Sequence, residues 1–505
     1  MTKAKVNSNF SKSKAQRILE YILLALCLCV IALRTTYTEG PATQSTALLA
    51  NLSDNVYSLS VSAVLLLAFV CWFIWSLCSK RFLYRFTAIE IGLSLFCVAA
   101  FVAGIAAENK RAAITDAVCL LAPVFMAVLL VQVLDSQSKI KLVLIVIAAL
   151  GVVSAYQCAE QLFVSNHAMI DQYEQAPQTM LEPLGIQPGS FQQFLFEHRL
   201  YSRGVRGFFT TSNSAGSFAI LASFAAVALF IEKFKKRKSP TSSPLCFINS
   251  GIAVAVVVFG LVITRSKGAI AASVIAAAMF TAYLCFGSWI RAYKKAILIV
   301  CLLLVLTGGA AVVWYGLTYD RLPGGSSMLV RWQYWEAAVK MYADHWPAGV
   351  GPGNFAHFYT HYKPAVALES VADPHNFLLS ILTQYGPLGL VGFLALVSVP
   401  LARAISTIPV ASSQKTHHVE PTFRTLAVTF GIIVSLGLLL IRPIIMPVVP
   451  RDTLDVIIYV VFTLYIVPVI AFLIGFWLLT TNEKVAKTRD LGRLRGTNHE
   501  TRITN

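Results

Sequence analysis

The chain is short of charge. Only 13% of its 505 residues are Asp, Glu, Lys or Arg, while 57% are hydrophobic, and the mean hydropathy is +0.68. A water-soluble fold of this length carries about twice that share of charge. Acidic residues are the scarcest: 24 Asp and Glu stand against 41 Lys and Arg, a formal charge of +17. Such an excess can serve nucleic acid, but in a chain this apolar the positive-inside bias of membrane proteins accounts for it. Strict apolar–polar alternation is missing, which excludes a membrane β-barrel. The ten Cys fall mostly within apolar runs, none lies in 316–375, and no C-x-x-C pair occurs. Neither a disulfide framework nor a Cys-based metal pair is expected. The basic N-terminus, with Lys3, Lys5, Lys12, Lys14 and Arg17, leads into "ILEYILLALCLCVIAL" without a small-residue cleavage site. This first apolar run is read as an uncleaved helix.

What is present is a series of apolar blocks of about 18–25 residues, the length that crosses a hydrocarbon core. About twelve are readable. They run over 18–34, 58–77, 88–107, 114–134, 141–159, 214–231, 246–264, 269–287, 296–315, 376–400, 425–443 and 455–479. In lipid each must close its own backbone hydrogen bonds, so the expected fold class is an all-α polytopic membrane protein. Lys and Arg gather in "KRFLYR" (80–85), "EKFKKRK" (232–238), "SWIRAYKK" (288–295) and the tail from 483. That pattern puts both termini in the cytoplasm. The basic runs set topology and contact anionic headgroups. The organisation is then a cytoplasmic tail over 1–17, a transmembrane helical domain over 18–479 and a cytoplasmic tail over 480–505. Two outer segments, about 160–213 and 316–375, are too long for simple connections and carry helical signals. In the second, Met328, Trp332, Trp335, Val339 and Tyr342 recur at helical spacing. This aromatic stripe is read as packing or as a float at the headgroup level.

The outer face collects the polar groups. His167, His198, His345, His357, His361 and His375 fall there, with Arg199, Arg203, Arg206, Arg265, Arg321 and Arg331. "HFYTH" places His357 and His361 at i and i+4, a spacing that can bind zinc, but Phe358 stands where H-E-x-x-H has its Glu. An interfacial aromatic and His cluster fits better. "GVGPGNF" (349–355) lacks the spacing and the Lys-Ser/Thr of a phosphate loop and reads as a tight turn with positive φ. In "ITRSKGAIAAS" (263–273), Arg265 and Lys267 sit in a very short turn at the N-terminus of the next helix. These residues leave two readings open, an anion site and a snorkelling helix-end Arg. "YSRGVRGFFTTSNSAGSFAI" (201–220) repeats the theme with Arg203 and Arg206. Several Arg held near one membrane surface suit a lipid-linked pyrophosphate. His375, in "VADPHNFLLSILTQYG" (371–386), is a group that can take a proton near neutral pH, and Asp373 can orient its ring. Its alternative reading is a helix cap, since Asp373 and Asn376 are capping residues.

"RWQYWEAAVKMYADHWPAGVGPGNFAHFY" (331–359), with "DPHNFLLSILTQYGPLGLVGF" (373–393) after it, resembles the conserved region of the O-antigen ligase and polymerase superfamily. "RGFFTTSNSAGSFAILA" (206–222) resembles that family's Arg-x-Gly-Phe…Asn-Ala entry, and "TRSKGA" (264–269) its Thr-x-Ser-Arg/Lys-Gly-Ala turn. One departure is Ser212 in "TSN" (211–213), where the family has Pro. The resemblance implies a GT-C-like glycosyltransferase of the bacterial inner membrane with a large, partly helical periplasmic loop. It implies transfer of a glycan from undecaprenyl diphosphate to lipid A–core or another surface glycan, or to a second lipid-linked repeat in a polymerase. Neither cofactor nor metal is implied; membrane lipids are partners and nucleic acid is not. The family's loop His falls on His375, its short-turn Arg on Arg265, and its upstream Arg on Arg206 or Arg203. The candidate set is His375 and Arg265 as catalytic residues, with Arg203, Arg206, Arg331, Asp373, Asn376 and Lys267 binding substrate. No large acceptor-binding domain comes after the last span, which argues mildly against a protein-glycosylating ligase. A secondary transporter or flippase also fits about twelve spans. It calls for ionisable groups and broken helices at mid-membrane, and little of either is visible: Glu90 and Asp116 lie near span ends.

Overall fold

The computed structural model describes residues 13–37, 47–79, 84–202, 204–236, 244–322, 326–367, 370–406, 423–445 and 454–480. Arg203 lies outside them, as do 80–83, 237–243 and the tail from 481, which hold much of the basic sequence used to set orientation. Among the described residues every regular element is helical, and twelve helices are long and apolar enough to cross a membrane. They match the twelve expected blocks one for one, so the chain is an all-α, multi-pass membrane protein. It divides into two compact units, 1–57 with 133–278 and 416–505, and 58–132 with 279–415.

The first unit holds the first span (Lys14–Thr35), the fifth (Gln137–Gln175), sixth (Ser212–Lys235), seventh (Leu245–Ile263), eleventh (Phe423–Ile444) and twelfth (Ile458–Thr480), and the start of the eighth (Lys267–Ala292). The fifth span is its axis. It packs against the sixth, seventh and twelfth, and every residue from Ala148 to Ala155 is buried. A helix apolar on all sides needs neighbours on all sides. At its start Lys139 is buried and paired with Glu20 at 3.3 Å and Asp135 at 2.7 Å. The expected end at 159 is too early. The helix continues through a π-helical stretch, Gln161–Ser165, and on to Gln175. Two more π-helical stretches interrupt this unit, Gly437–Ile441 in the eleventh span and Phe462–Ile466 in the twelfth.

The second unit holds the second span (Val56–Cys78), third (Ile89–Ala106), fourth (Lys110–Val133), ninth (Lys294–Tyr319) and tenth (Phe377–Ala404), with the loop helices Ser326–Asp344 and Phe355–Tyr362. Its main pairing is the third span on the tenth. Their backbones nearly touch. A Cβ added at Gly92 would lie 2.3 Å from the Leu396 amide nitrogen, and one at Gly392 would lie 2.8 Å from that of Phe96. Without a hydrophobic drive between helices in lipid, such close approach supplies the dispersion contact that holds them. The ninth span presents its whole apolar window outward, as a lipid-facing helix does.

Two expectations change here. The tenth span is broken: Gly386 has φ 68° and ψ −174°, with Pro387 after it. Little sign of broken helices is visible in the sequence, because a Gly-Pro pair inside an apolar run looks like an ordinary kink. The stripe of loop helix Ser326–Asp344 is also rotated. Its core face is Tyr334, Ala337, Ala338 and Met341, packed on Val350, Phe355 and Tyr359. Small alanines allow that approach, while Val339 from the expected stripe is exposed. Trp332 does pack, with its ring against Gly316.

The Gly92 contact makes a prediction. Gly92→Ala forces a Cβ into the Leu396 backbone and costs about 1–3 kcal/mol. Gly104→Ala in the same helix meets nothing within 4 Å. Thermal unfolding in detergent should show a lower midpoint for Gly92→Ala and none of that loss for Gly104→Ala. Equal midpoints would contradict the pairing.

Candidate functional site

The second unit builds a loop site from the break outward. A helix broken at Gly386 leaves carbonyls of the preceding turn without their usual donors. The 347–354 turn supplies one of these donors and also binds a side chain of that preceding turn. The Val350 amide donates to the Thr383 carbonyl at 2.9 Å, and the Gly353 amide to Gln384 Oε1 at 2.7 Å. The chain fits only as glycine: Gly349, Gly351 and Gly353 all have positive φ, and a Cβ on Gly351 would strike Ala107 at 2.3 Å. Asn354, 1% exposed, locks the other side. Its Oδ1 accepts from the Asn109 amide at 2.9 Å, and its Nδ2 donates to the Pro352 carbonyl at 2.8 Å. The Gly349 amide donates to the His345 carbonyl. These amides are spent inside the protein, so the turn positions other groups and is not a phosphate cradle.

Asp373, His375 and Asn376 come next, on one strained turn. His375 has φ 49°, a left-handed conformation that costs a non-glycine residue about 1 kcal/mol or more. Asp373 Oδ1 accepts from the His375 amide at 2.7 Å and stands 3.3 Å from Nδ1. The hydrogen bond from His375 holds the Asp373 carboxyl below the usual carboxylate range, against the opposing effect of burial. A carboxylate at Nδ1 favours the proton there and puts the basic lone pair on Nε2. Helix capping falls to Asn376, whose Oδ1 accepts from the Leu379 amide at 3.3 Å. His375 itself is therefore not the cap, and its ring is half exposed. The loop helix supports it from behind: the Tyr334 ring lies 5.6 Å from the imidazole, and Trp335 Nε1 donates to the Pro374 carbonyl at 3.1 Å. Arg331 sits one turn earlier on that helix, with Nη1 4.0 Å from Met328 Sδ.

The first unit holds the Arg turns. Arg265 links the seventh and eighth spans with φ 53°, again left-handed, and its side chain is exposed. The flanking residues are buried struts. Thr264 Oγ1 donates to the Leu261 carbonyl at 2.7 Å, and Ser266 Oγ caps the eighth span through the Ala269 amide at 3.1 Å. Ser266 Oγ also donates to Asn213 Oδ1 at 2.6 Å, which stitches this turn to the start of the sixth span. Lys267 is exposed beside it. Arg206 is exposed on a turn held by Gln161, whose Oε1 accepts from the Arg206 and Gly207 amides at 3.0 Å each. The structure therefore joins the segments carrying Arg206 and Arg265 through one side-chain bond. Ser212, the departure from the family pattern, opens the sixth helix without displacing Asn213 from that bond.

Other groups fall elsewhere. His357 and His361 lie on helix Phe355–Tyr362 with ring centroids 6.5 Å apart, and His357 Nε2 is 3.4 Å from Glu108. Among the described residues no three His, Cys, Asp or Glu side chains gather as a metal site. Sequence reasoning passed over Asn354, Gln384 and Gln161, whose amides do the structural bonding. It also passed over Arg442, a lone cation within an apolar run, which was a readable signal.

In comparison with known proteins, residues 252–394 match the family model described as O-antigen ligase. No curated protein and no solved structure matches the chain. The matched stretch contains Arg265, Lys267, Arg331, Asp373, His375 and Asn376, and leaves out Arg206. That match over 252–394 supports the resemblance of this multi-pass membrane chain to the O-antigen ligase and polymerase superfamily.

Proposed function

We propose that the chain is an inverting glycosyltransferase that moves a glycan from undecaprenyl diphosphate to an acceptor hydroxyl. The acceptor is lipid A–core or another surface glycan, and the reaction takes place at the periplasmic face of the bacterial inner membrane, with both termini cytoplasmic. One observation carries the reading. Among the described residues four non-glycine positions have positive φ: Ala88, Arg265, Asp320 and His375. Two of the four are the short-turn Arg and the loop His on which the family resemblance places the chemistry. Strained backbone persists where the surroundings hold it for a purpose.

The roles come from the groups. His375 Nε2 takes the proton from the acceptor hydroxyl as that oxygen attacks the anomeric carbon. The bond from this carbon to the diphosphate oxygen breaks, and the diphosphate leaves with the electron pair. Arg265 and Arg206 stabilise the charge that develops there. Asp373 holds the His375 tautomer and favours its protonated form during the step. Arg331, Asn376 and Lys267 are assigned to substrate binding, and so is Arg203, outside the described residues. A diphosphate leaves without a strong general acid, so no second carboxylate at glycosidase spacing is needed, and the proposal calls for no metal.

Two predictions test this. In the purified full chain, offered a lipid-diphosphate glycan with lipid A–core or a second lipid-linked repeat as acceptor, Arg265→Ala and His375→Ala should each lower transfer by about 10²-fold or more. Wild-type rates in both would overturn the assignment. The acceptor consumed separates ligase from polymerase. Asp373→Asn should lower the rate and move the acid limb of the pH–rate profile to lower pH, since the carboxylate that stabilises imidazolium is gone. Stability has its own pH dependence: a carboxyl lowered in the folded state stabilises the turn above its ordinary range, and that support is lost as pH falls through its folded value. An unchanged acid limb would remove Asp373 from the mechanism.

A further inference from the structure

Arg442 lies in the last turn of the eleventh span and is 2% exposed, the largest of the fully buried side chains among the described residues. Among the described residues no carboxylate pairs with it. Its Nε donates to the Thr36 carbonyl at 2.9 Å, its Nη1 donates to the Leu464 carbonyl, and Nη2 is buried without a hydrogen-bond partner. The guanidinium stands 4.9 Å from the Phe208 ring centre and 5.7 Å from that of Tyr465. Carbonyls and ring faces offer only partial negative charge. A buried cation kept without a counterion is expensive, and an apolar residue of similar size would pack at lower cost.

The turn above the cation explains its retention. Phe208 is two residues from Arg206, in the turn closed by the Phe209 amide on the Arg206 carbonyl and held by Gln161. The three π-helical stretches among the described residues of the unit all contribute. Gln161 opens the first, the Arg442 amide bonds back to Gly437 across the second, and the Leu464 carbonyl comes from the third. A π-helical turn shifts the register of the helix beyond it, and such turns recur at functional sites. Here they bring Arg442 under the Arg206 turn.

We propose that Arg442 is a positioning residue for an anion: a fixed positive charge that holds Phe208 and favours a lipid-linked diphosphate at Arg206 and Arg265. It does not touch the ligand; it acts through the Phe208 ring and through its field, which is weakly screened where water is excluded. The inference rests on the diphosphate reading above, and it adds a residue outside the segment that matches the family.

The test is binding of farnesyl diphosphate, inorganic pyrophosphate and farnesol to the full chain in detergent, measured by calorimetry, with donor KM and kcat measured separately. Arg442→Gln keeps a donor for the Thr36 carbonyl and removes the charge; Arg442→Lys keeps the charge. The expected result is at least tenfold weaker binding of farnesyl diphosphate and a matching rise in donor KM for the Gln variant. Its kcat should stay within about threefold, and the Lys variant within about threefold of wild type throughout. Farnesol should bind all three proteins alike. A Gln variant that binds as wild type does, or Gln and Lys variants equally impaired, overturns the inference and leaves the transferase reading standing. Should the Gln variant not fold, Phe208→Leu is decisive: weaker diphosphate binding is expected, and unchanged binding refutes the coupling. A wild-type protein that binds neither diphosphate refutes the diphosphate reading itself, and the role of Arg442 falls with it.

Discussion

The second unit turns on one hydrogen bond, from the Val350 amide to the carbonyl of Thr383. A membrane helix cannot break without finding new donors for its stranded carbonyls, because the surrounding lipid has none. At the break at Gly386 another segment supplies such a donor. The 347–354 turn is that segment, and its glycines are needed because backbone meets backbone on both sides. Once the turn is seated, Asn354 ties it to Asn109, the Phe355–Tyr362 helix packs on Tyr334 and Met341, and the Ser326–Asp344 helix is fixed. That helix then backs Pro374 and His375. A loop of this length would otherwise leave the imidazole without a fixed direction, and the proposed role as a base depends on that direction.

The first unit meets the same demand by another route. Arg265 sits in a turn too short to move, between two spans whose ends are pinned by Thr264 and Ser266. Arg206 is held by its backbone, through Gln161, and its side chain stays exposed. Both units thus place a long or titratable side chain on a left-handed or amide-clamped backbone and spend buried polar groups to keep it there. Long flexible side chains lose rotamer entropy when they bind. A fixed backbone reduces the rest of that cost.

Much of this was legible in the residues, and the part that was not has a physical reason. Span number and order came through because lipid demands about 20 apolar residues per crossing. "GVGPGNF" was readable as a turn because positive φ selects glycine. The His375 cap question was left open by "DPHN", since Asp and Asn both cap; only the distances assign Asn376 to the helix and Asp373 to the imidazole. The stripe of the loop helix was misplaced because alanines at 337 and 338 carry little hydrophobic signal, yet they face the core where close approach matters. π-Helical stretches leave no composition signature at all. In sequence the fifth span therefore reads as ending at 159, and the register that sets Arg442 beside Phe208 is invisible.

The central claim is that the 347–354 turn is a fixed plug in the tenth span, on which the His375 loop is built, and not a ligand-gripping loop. Hydrogen–deuterium exchange of the full chain in nanodiscs tests it directly. The amides of Val350 and Gly353 should exchange as slowly as those of the third span, with or without a lipid diphosphate present. Fast exchange in the free protein that slows on adding the diphosphate would contradict the account.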